Sequence, residues 1–138
     1  MTGAATREPA APLLDAWPYA RFLGMRLEPG EAGPIAVLPF APRLIGNPIL
    51  PALHGGVVAS FLELAALARL DAEGQPARTI DITVDYLRPA RPVTTYAEVR
   101  ILKLGRRAAN LAVEAWQDDR TSPVAALRGH FMILGKAA

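Results

Sequence analysis

The pattern of hydrophobic and polar positions predicts one long helix and six strands. Residues 57–70 are apolar at nearly every position and contain neither Gly nor Pro, which predicts a helix that ends before Gly74 and Pro76. Only Ser60 and Glu63 interrupt its apolar surface before Arg69. Because this helix is apolar on all faces, we expect it to lie inside the fold.

Two strands are predicted before the helix and four after it. The first two lie between residues 23 and 40, around a turn at 29–33 that is rich in Gly and Pro. Residues 41–53 contain three prolines and have no clear period, so they predict a loop. The four later strands are predicted at 79–86, 95–104, 107–117 and 124–134.

Residues 79–86 show the cleanest alternation in the chain. It predicts one apolar and one polar face for this strand. The apolar face comprises Ile80, Ile82, Val84 and Tyr86, and the polar face comprises Thr79, Asp81, Thr83 and Asp85.

The order of these elements predicts an α+β fold with a mainly antiparallel sheet. Residues 1–11 contain Ala, Pro, Gly and Thr with one Arg–Glu pair and predict a mobile tail. At 138 residues, the chain has the length of one domain, so we expect residues 12–138 to form it.

The composition is unusually apolar for a small domain. With Gly counted as apolar and Tyr not, apolar residues make up about 57% of the chain and charged residues 20%, against about 45–50% and about 25% in ordinary soluble domains. The longest stretch without Asp, Glu, Lys or Arg, residues 44–62, contains two prolines and a His-Gly-Gly run, which excludes a membrane helix. No signal peptide is recognisable, so we expect a cytoplasmic protein that buries apolar surface against another chain.

Charge and cysteine content exclude several classes of function. The net charge of +2 is too small to indicate a nucleic-acid partner. The chain has no cysteine, which excludes disulfides, thiolate zinc sites and a cysteine nucleophile. No cluster of metal-ligating residues is apparent, so no metal site is predicted.

The predicted start of the helix is a candidate oxyanion hole. The first unpaired N–H groups of the helix fall between Gly55 and Val58, and Gly55 and Gly56 have no side chains to shield them. A carbonyl oxygen could therefore approach the positive end of the helix closely. The alternative is that the glycines only permit a sharp turn from loop to helix.

Glu63 is the candidate base or nucleophile. No cation lies three or four positions from it on the helix. A carboxylate in a buried helix loses solvation, which suits general-base or nucleophilic work. The alternatives are a partly exposed position or an ion pair with an arginine from a strand.

The spacing of these two candidates implies a second chain. Gly55 and Glu63 are eight residues apart, which is about 12 Å along a helix. An oxyanion donor and a base that act on one carbonyl must both lie about 3 Å from the reacting atoms. If both residues are catalytic, Gly55 of one chain has to meet Glu63 of another across a two-fold axis.

Two motifs carry a resemblance to a known family. They are His54-Gly55-Gly56 with an acid nine residues after the histidine, and the segment from Asp81 to Ala90 with its Tyr-Leu-Arg-Pro-Ala end. Over residues 17–134 the chain resembles the PaaI-type acyl-CoA thioesterases of the hotdog fold. That resemblance implies a long central helix wrapped by a curved, six-stranded, mainly antiparallel sheet, and a homodimer that often pairs into a homotetramer.

The resemblance also implies roles for individual residues. Gly55 would supply the oxyanion N–H, and Glu63 would act as nucleophile or as the base that activates water. His54 would orient or polarise the thioester, and Asn47 would help to hold the water or the carbonyl. The substrate would be an acyl-CoA, in which coenzyme A is part of the substrate and no separate cofactor is needed.

Three arginines are candidates for the phosphates of coenzyme A. Arginine binds phosphate through bidentate hydrogen bonds and a permanent charge. Arg88 follows its predicted strand, and Arg106 and Arg107 follow Gly105, where relatives place their CoA contacts. The alternative is that they are solvated arginines in turns.

Two rival functions remain open on this sequence. A hotdog hydratase or dehydratase would need a histidine four residues before Asn47, where this chain has Arg43. A non-catalytic acyl-CoA-binding dimer would leave Glu63 as an idle buried carboxylate, which costs stability.

Overall fold

A computed structural model describes residues 14–135 of the chain, so the predicted tail at 1–11 lies outside the described residues. Its helices include α1 (Pro18–Leu23) and α2 (Gly55–Ala72). The strands are β1 (Arg26–Glu28), β2 (Ile35–Leu38), β3 (Ile45–Asn47), β4 (Ala52–Leu53), β5 (Ala77–Tyr86), β6 (Thr95–Leu104), β7 (Ala108–Trp116) and β8 (Ala125–Ile133).

Six strands form one sheet in the order β1-β2-β6-β7-β8-β5. Every pair of neighbours in it is antiparallel. Helix α2 packs against β5, β6, β7 and β8, so the sheet holds the helix as predicted. Within residues 14–135, no helix is long and apolar enough to cross a membrane. The predicted α+β architecture is confirmed.

Helix α2 is the centre of the core. Its buried side chains lie on one side of the helix, and they are Val57, Val58, Phe61, Leu62, Ala65, Ala66, Ala68 and Leu70. The opposite face is only partly buried in the single chain, which corrects the expectation that all faces lie inside; its residues are Ala59, Ser60, Glu63, Leu64 and Leu67. The helix is two residues longer at each end than the apolar segment. The extra first residues are helical because the His54 side chain caps the N-terminus.

A β-bulge in β5 overturns part of the predicted alternation. Thr79 pairs with Phe131 and Asp81 pairs with His130, so Ile80 is the unpaired extra residue. Ile80 is 56% exposed, although the alternation places it on the buried face. Thr79 instead shares the face of the buried Phe131, which is the face toward α2. The predicted positions of Ile80 and Thr79 are therefore wrong.

Residues 41–53, predicted to be a loop, contain a short hairpin. Strands β3 and β4 pair antiparallel through Ile45 with Leu53 and Asn47 with Ala52. The hairpin is anchored at its base, where the His54 N–H donates to the Leu44 carbonyl at 2.9 Å. With strands of three and two residues, no periodicity is visible in the sequence. The hairpin forms one wall beside the start of α2.

Candidate active site

The first turn of α2 presents one backbone donor without a partner. The His54 side chain accepts a hydrogen bond from the Gly56 N–H at its Nδ1 atom, at 2.9 Å. The His54 carbonyl accepts from the N–H groups of Val57 and Val58, at 3.0 and 3.2 Å. Among the residues that the structure describes, nothing accepts from the Gly55 N–H, and Gly55 is exposed. This N–H therefore stands at the positive end of the helix, free to bind an oxygen atom.

Gly55 and Gly56 differ in how much space a side chain would have at each position. A Cβ atom on Gly56 would lie 3.1 Å from the His54 ring, so a side chain there would push against the capping imidazole. A Cβ on Gly55 would lie 3.6 Å from the ring of Tyr86, which is an ordinary contact. Because Nδ1 of His54 accepts a hydrogen bond, the proton of the neutral ring is on Nε2, as a further donor beside Gly55.

Gly55 opens on a groove of about 380 Å³. Its lining is mostly apolar and includes Leu53, Val58, Leu87, Pro89 and Val124. Among residues 14–135, the one charged side chain that lines it is that of Arg88. The groove therefore combines an unpaired donor, apolar walls and a cation.

Arg88 is held in place by the turn that connects β7 to β8. Its guanidinium donates to the carbonyl of Pro123. In the same turn, Asp119 accepts from the hydroxyl and the N–H of Thr121, at 2.7 and 2.9 Å. These hydrogen bonds lower the pKa of Asp119 below its ordinary value, so the turn keeps a negative charge close to Arg88.

Glu63 lies two turns further along α2, half-buried. Its Oε2 atom accepts a hydrogen bond of 2.7 Å from the Thr79 hydroxyl. No cation among residues 14–135 forms an ion pair with it, so the alternative of a strand arginine does not hold for the described part of the chain. The Oε1 atom is left available for a second partner.

Asn47 lies at the start of the hairpin tip. Its Oδ1 atom accepts from the N–H groups of Ile49 and Leu50, at 3.0 and 3.3 Å. The oxygen thereby orders the tip, and the amide N–H groups of the side chain remain as its donors. A contribution of Asn47 to the chemistry stays a prediction.

Arg106 and Arg107 lie at the opposite end of α2 from Gly55. The Arg107 carbonyl accepts from Ile133, the last residue of β8, and Arg106 lines a groove together with Gln75, just beyond the helix. With 18 residues, α2 is about 27 Å long. Within one protomer, these arginines are therefore separated from Gly55 by about the length of the helix.

The class of the protein follows from its match to a known family. A model of the thioesterase superfamily matches residues 50–124, from the hairpin tip to the strand β8 boundary. The chain belongs to the thioesterase superfamily. The predictions that it is a thioesterase enzyme and that it resembles the PaaI type are confirmed.

Relatives of this thioesterase are found among curated proteins and solved structures. A medium/long-chain acyl-CoA thioesterase, YigI of Salmonella typhimurium, is 35% identical over 121 residues, which cover 75% of this chain and 77% of that protein. A Chromobacterium violaceum protein of known crystal structure is 38% identical in sequence to this chain. The two structures match with a TM-score of 0.73, and the match covers 91% of this chain and 90% of that one. The Escherichia coli PaaI protein is 20% identical, with a TM-score of 0.81 over 94% and 93%, which shows the shared hotdog fold.

The candidate site residues are thus distributed along α2. The structure brings His54, Gly55 and Arg88 together at one end, Glu63 in the middle and the other two arginines at the far end. Sequence reasoning missed Thr79, because the alternation assigned it to the outer face. It also gave no role to Tyr86, although that residue is part of the motif that carries the resemblance.

Proposed function

We propose that the protein hydrolyses acyl-CoA thioesters to a free acid and coenzyme A, with medium to long apolar acyl chains as the preferred substrates. The family membership and the name of the YigI relatives support this substrate class. The observation that carries the mechanism is the unpartnered Gly55 N–H, which opens on a mostly apolar groove.

The reaction uses Gly55 and Glu63 on one thioester. The Gly55 N–H binds the carbonyl oxygen, which becomes negatively charged in the transition state. Glu63 takes a proton from a water molecule through Oε1 while the water oxygen attacks the carbonyl carbon. The tetrahedral intermediate then collapses with cleavage of the carbon–sulfur bond, and the leaving CoA sulfur receives the proton that Glu63 took from water. The alternative is that the Glu63 carboxylate attacks the carbon itself and expels the CoA thiolate, after which water hydrolyses the resulting anhydride and releases the acid.

Thr79 supports this role by orienting the carboxylate. Its hydroxyl occupies Oε2 of Glu63 at 2.7 Å, and the β-bulge at Ile80 is what turns Thr79 toward the helix. A carboxylate with one oxygen held in this way presents the other oxygen in a fixed direction, which favours proton transfer.

The site is shared between two protomers in this proposal. Gly55 and Glu63 of one chain are too far apart to act on one carbonyl. Strand β5 is an edge of the sheet in the single chain, so two β5 strands can pair and bring two α2 helices together antiparallel. Each of the two equal sites then takes Gly55 from one protomer and Glu63 from its partner. A further pairing of dimers is compatible with this arrangement.

The arginines at both ends of α2 fit the same arrangement. In an antiparallel pair, Arg106 and Arg107 of one chain move toward the Gly55 end of the other. Together with Arg88, they would offer three cations to the phosphates of coenzyme A. Coenzyme A enters and leaves with the substrate, and the proposed reaction needs no other cofactor.

The length of the acyl chain is expected to determine how well a thioester is hydrolysed. The wild-type protein is expected to release free thiol from octanoyl- and palmitoyl-CoA with a higher kcat/KM than from acetyl-CoA, because a longer chain buries more apolar surface. A thiol-reactive dye measures this release directly.

The rival functions predict other outcomes for the same panel. Hydration of an enoyl-CoA without thiol release would identify a hydratase, and tight binding of every acyl-CoA without turnover would identify a binding protein. Against the hydratase, the Arg43 side chain bonds to the Phe22 carbonyl and lies over the Phe22 ring at 5.1 Å. It therefore supplies no base beside Asn47.

A further inference from the structure

Tyr86 makes an unusual contact with the candidate oxyanion donor. It is the last residue of β5, and its hydroxyl donates to the Gly55 carbonyl oxygen at 2.9 Å. Its ring packs beside the Gly55 Cα atom, yet the residue is 58% exposed. The Tyr86 hydroxyl therefore donates to one main-chain carbonyl, while the ring contributes little buried area to the core.

The strand end that carries Tyr86 is firmly held. Tyr86 pairs with Ala125 of β8. The next two residues, Leu87 and Arg88, both donate their N–H groups to the Val124 carbonyl, at 2.9 and 3.2 Å. The hydroxyl thus connects the first turn of α2 to the fixed end of the six-stranded sheet.

A backbone N–H group in the first turn of a helix has to be held in place from outside the helix if it is to bind an oxyanion. The first N–H groups have no partner within the helix, and helix ends fray. An oxyanion donor stabilises the transition state only if it is held in place before the reaction, because reorientation during the reaction costs free energy. The His54 cap holds the neighbouring Gly56 N–H, whereas Gly55 itself is held through its carbonyl by Tyr86.

We infer that Tyr86 is a positioning residue, which holds Gly55 so that its N–H points at the thioester carbonyl. This inference rests on the proposed function. Because the hydroxyl is occupied by the Gly55 carbonyl, Tyr86 does not act as an acid or a base on the substrate. Its exposed ring forms the groove wall next to Gly55, together with Leu87 and Arg88.

The test compares Tyr86→Phe with a matched control. Tyr86→Phe removes the hydroxyl and keeps the ring, and we expect kcat for octanoyl-CoA to fall by about five- to tenfold, the effect of one hydrogen bond. KM is expected to stay within about twofold, because the groove wall is intact. The control is Tyr96→Phe on the outer face of the sheet, where the ring stacks on Trp116, and it should match wild type.

A second measurement does not depend on hydrolysis. Amide hydrogen exchange of residues 57–59 reports whether the first turn opens, and we expect it to rise about fivefold in Tyr86→Phe and not in Tyr96→Phe. Unchanged kcat and unchanged exchange would overturn the inference. A loss of kcat matched by a raised KM and a lowered Tm would also overturn it, because that result indicates a structural role. If wild type hydrolyses no acyl-CoA, the proposed function fails, while the exchange rates still decide whether Tyr86 holds Gly55.

Discussion

Glu63→Gln is expected to lower kcat for octanoyl-CoA by about a thousandfold, within the range that general bases contribute. The glutamine side chain has nearly the same shape, and its carbonyl oxygen can still accept the hydrogen bond that Thr79 donates to Glu63. The fold should therefore be unaffected, with Tm close to that of wild type. What is lost is the oxygen that takes the proton from water or attacks the carbonyl carbon.

The control for this variant is Glu114→Gln. Glu114 is an exposed glutamate on β7, on the outer face of the sheet, and its replacement should leave kcat unchanged. Thiol release by both variants is measured over the same substrate range. Turnover of Glu63→Gln within tenfold of wild type would remove Glu63 from the mechanism.

Gly55→Pro is expected to lower kcat by about a hundredfold or more, because it deletes the donor of the oxyanion hole. The structure tolerates a proline here. Gly55 is the first residue of α2, where proline is favoured, and its N–H gives up no hydrogen bond among the described residues. His54 has φ −62° and ψ 132°, an extended conformation that suits the residue before a proline.

Gly55→Ala is the matched variant that keeps the N–H. Its Cβ would meet the Tyr86 ring at 3.6 Å, which is an ordinary contact. We expect it to be at least about tenfold more active than Gly55→Pro, since only the proline removes the donor. Equal activity of the two variants, both with wild-type Tm, would mean that the Gly55 N–H does not bind the substrate oxygen.

The central helix was predictable because one sequence feature, a long apolar segment without Gly or Pro, indicates both burial and helix formation there. A run of apolar residues without Gly or Pro can only be a core helix or a buried strand, and its length favours the helix. The N-terminal boundary was harder. The first two helical residues are glycines, and the contacts that hold them, the His54 cap and the Tyr86 hydroxyl, are not visible as a helical pattern in the sequence.

The position of Thr79 could not be predicted from alternation. The extra residue of the bulge is Ile80. Because isoleucine is apolar, the sequence gives no sign that this position is exposed. The extra residue shifts the faces of β5 by one residue, so that Thr79 turns toward Glu63. The pairing with Phe131 and His130 decides this, and that pairing involves residues about fifty positions away in the sequence.

The candidate pair, Gly55 and Glu63, was found from the sequence, but its proposed assembly involves more than one chain. Gly55 was identified from its place before an apolar helix, and Glu63 from its isolation within that helix. The same helix geometry that identified them also separates them. The apolar surplus of the composition fits this account, because the proposed dimer buries a sheet edge and a helix face.

The most direct test of the shared site is to combine Gly55→Pro and Glu63→Gln in one dimer. Each variant is expected to be nearly inactive alone. Mixed dimers, purified through two different affinity tags, would contain one site with both lesions and one with neither. They should recover about half of the wild-type activity per dimer. Mixed dimers no more active than the better parent would contradict the account, because every site built within one chain would then carry one lesion.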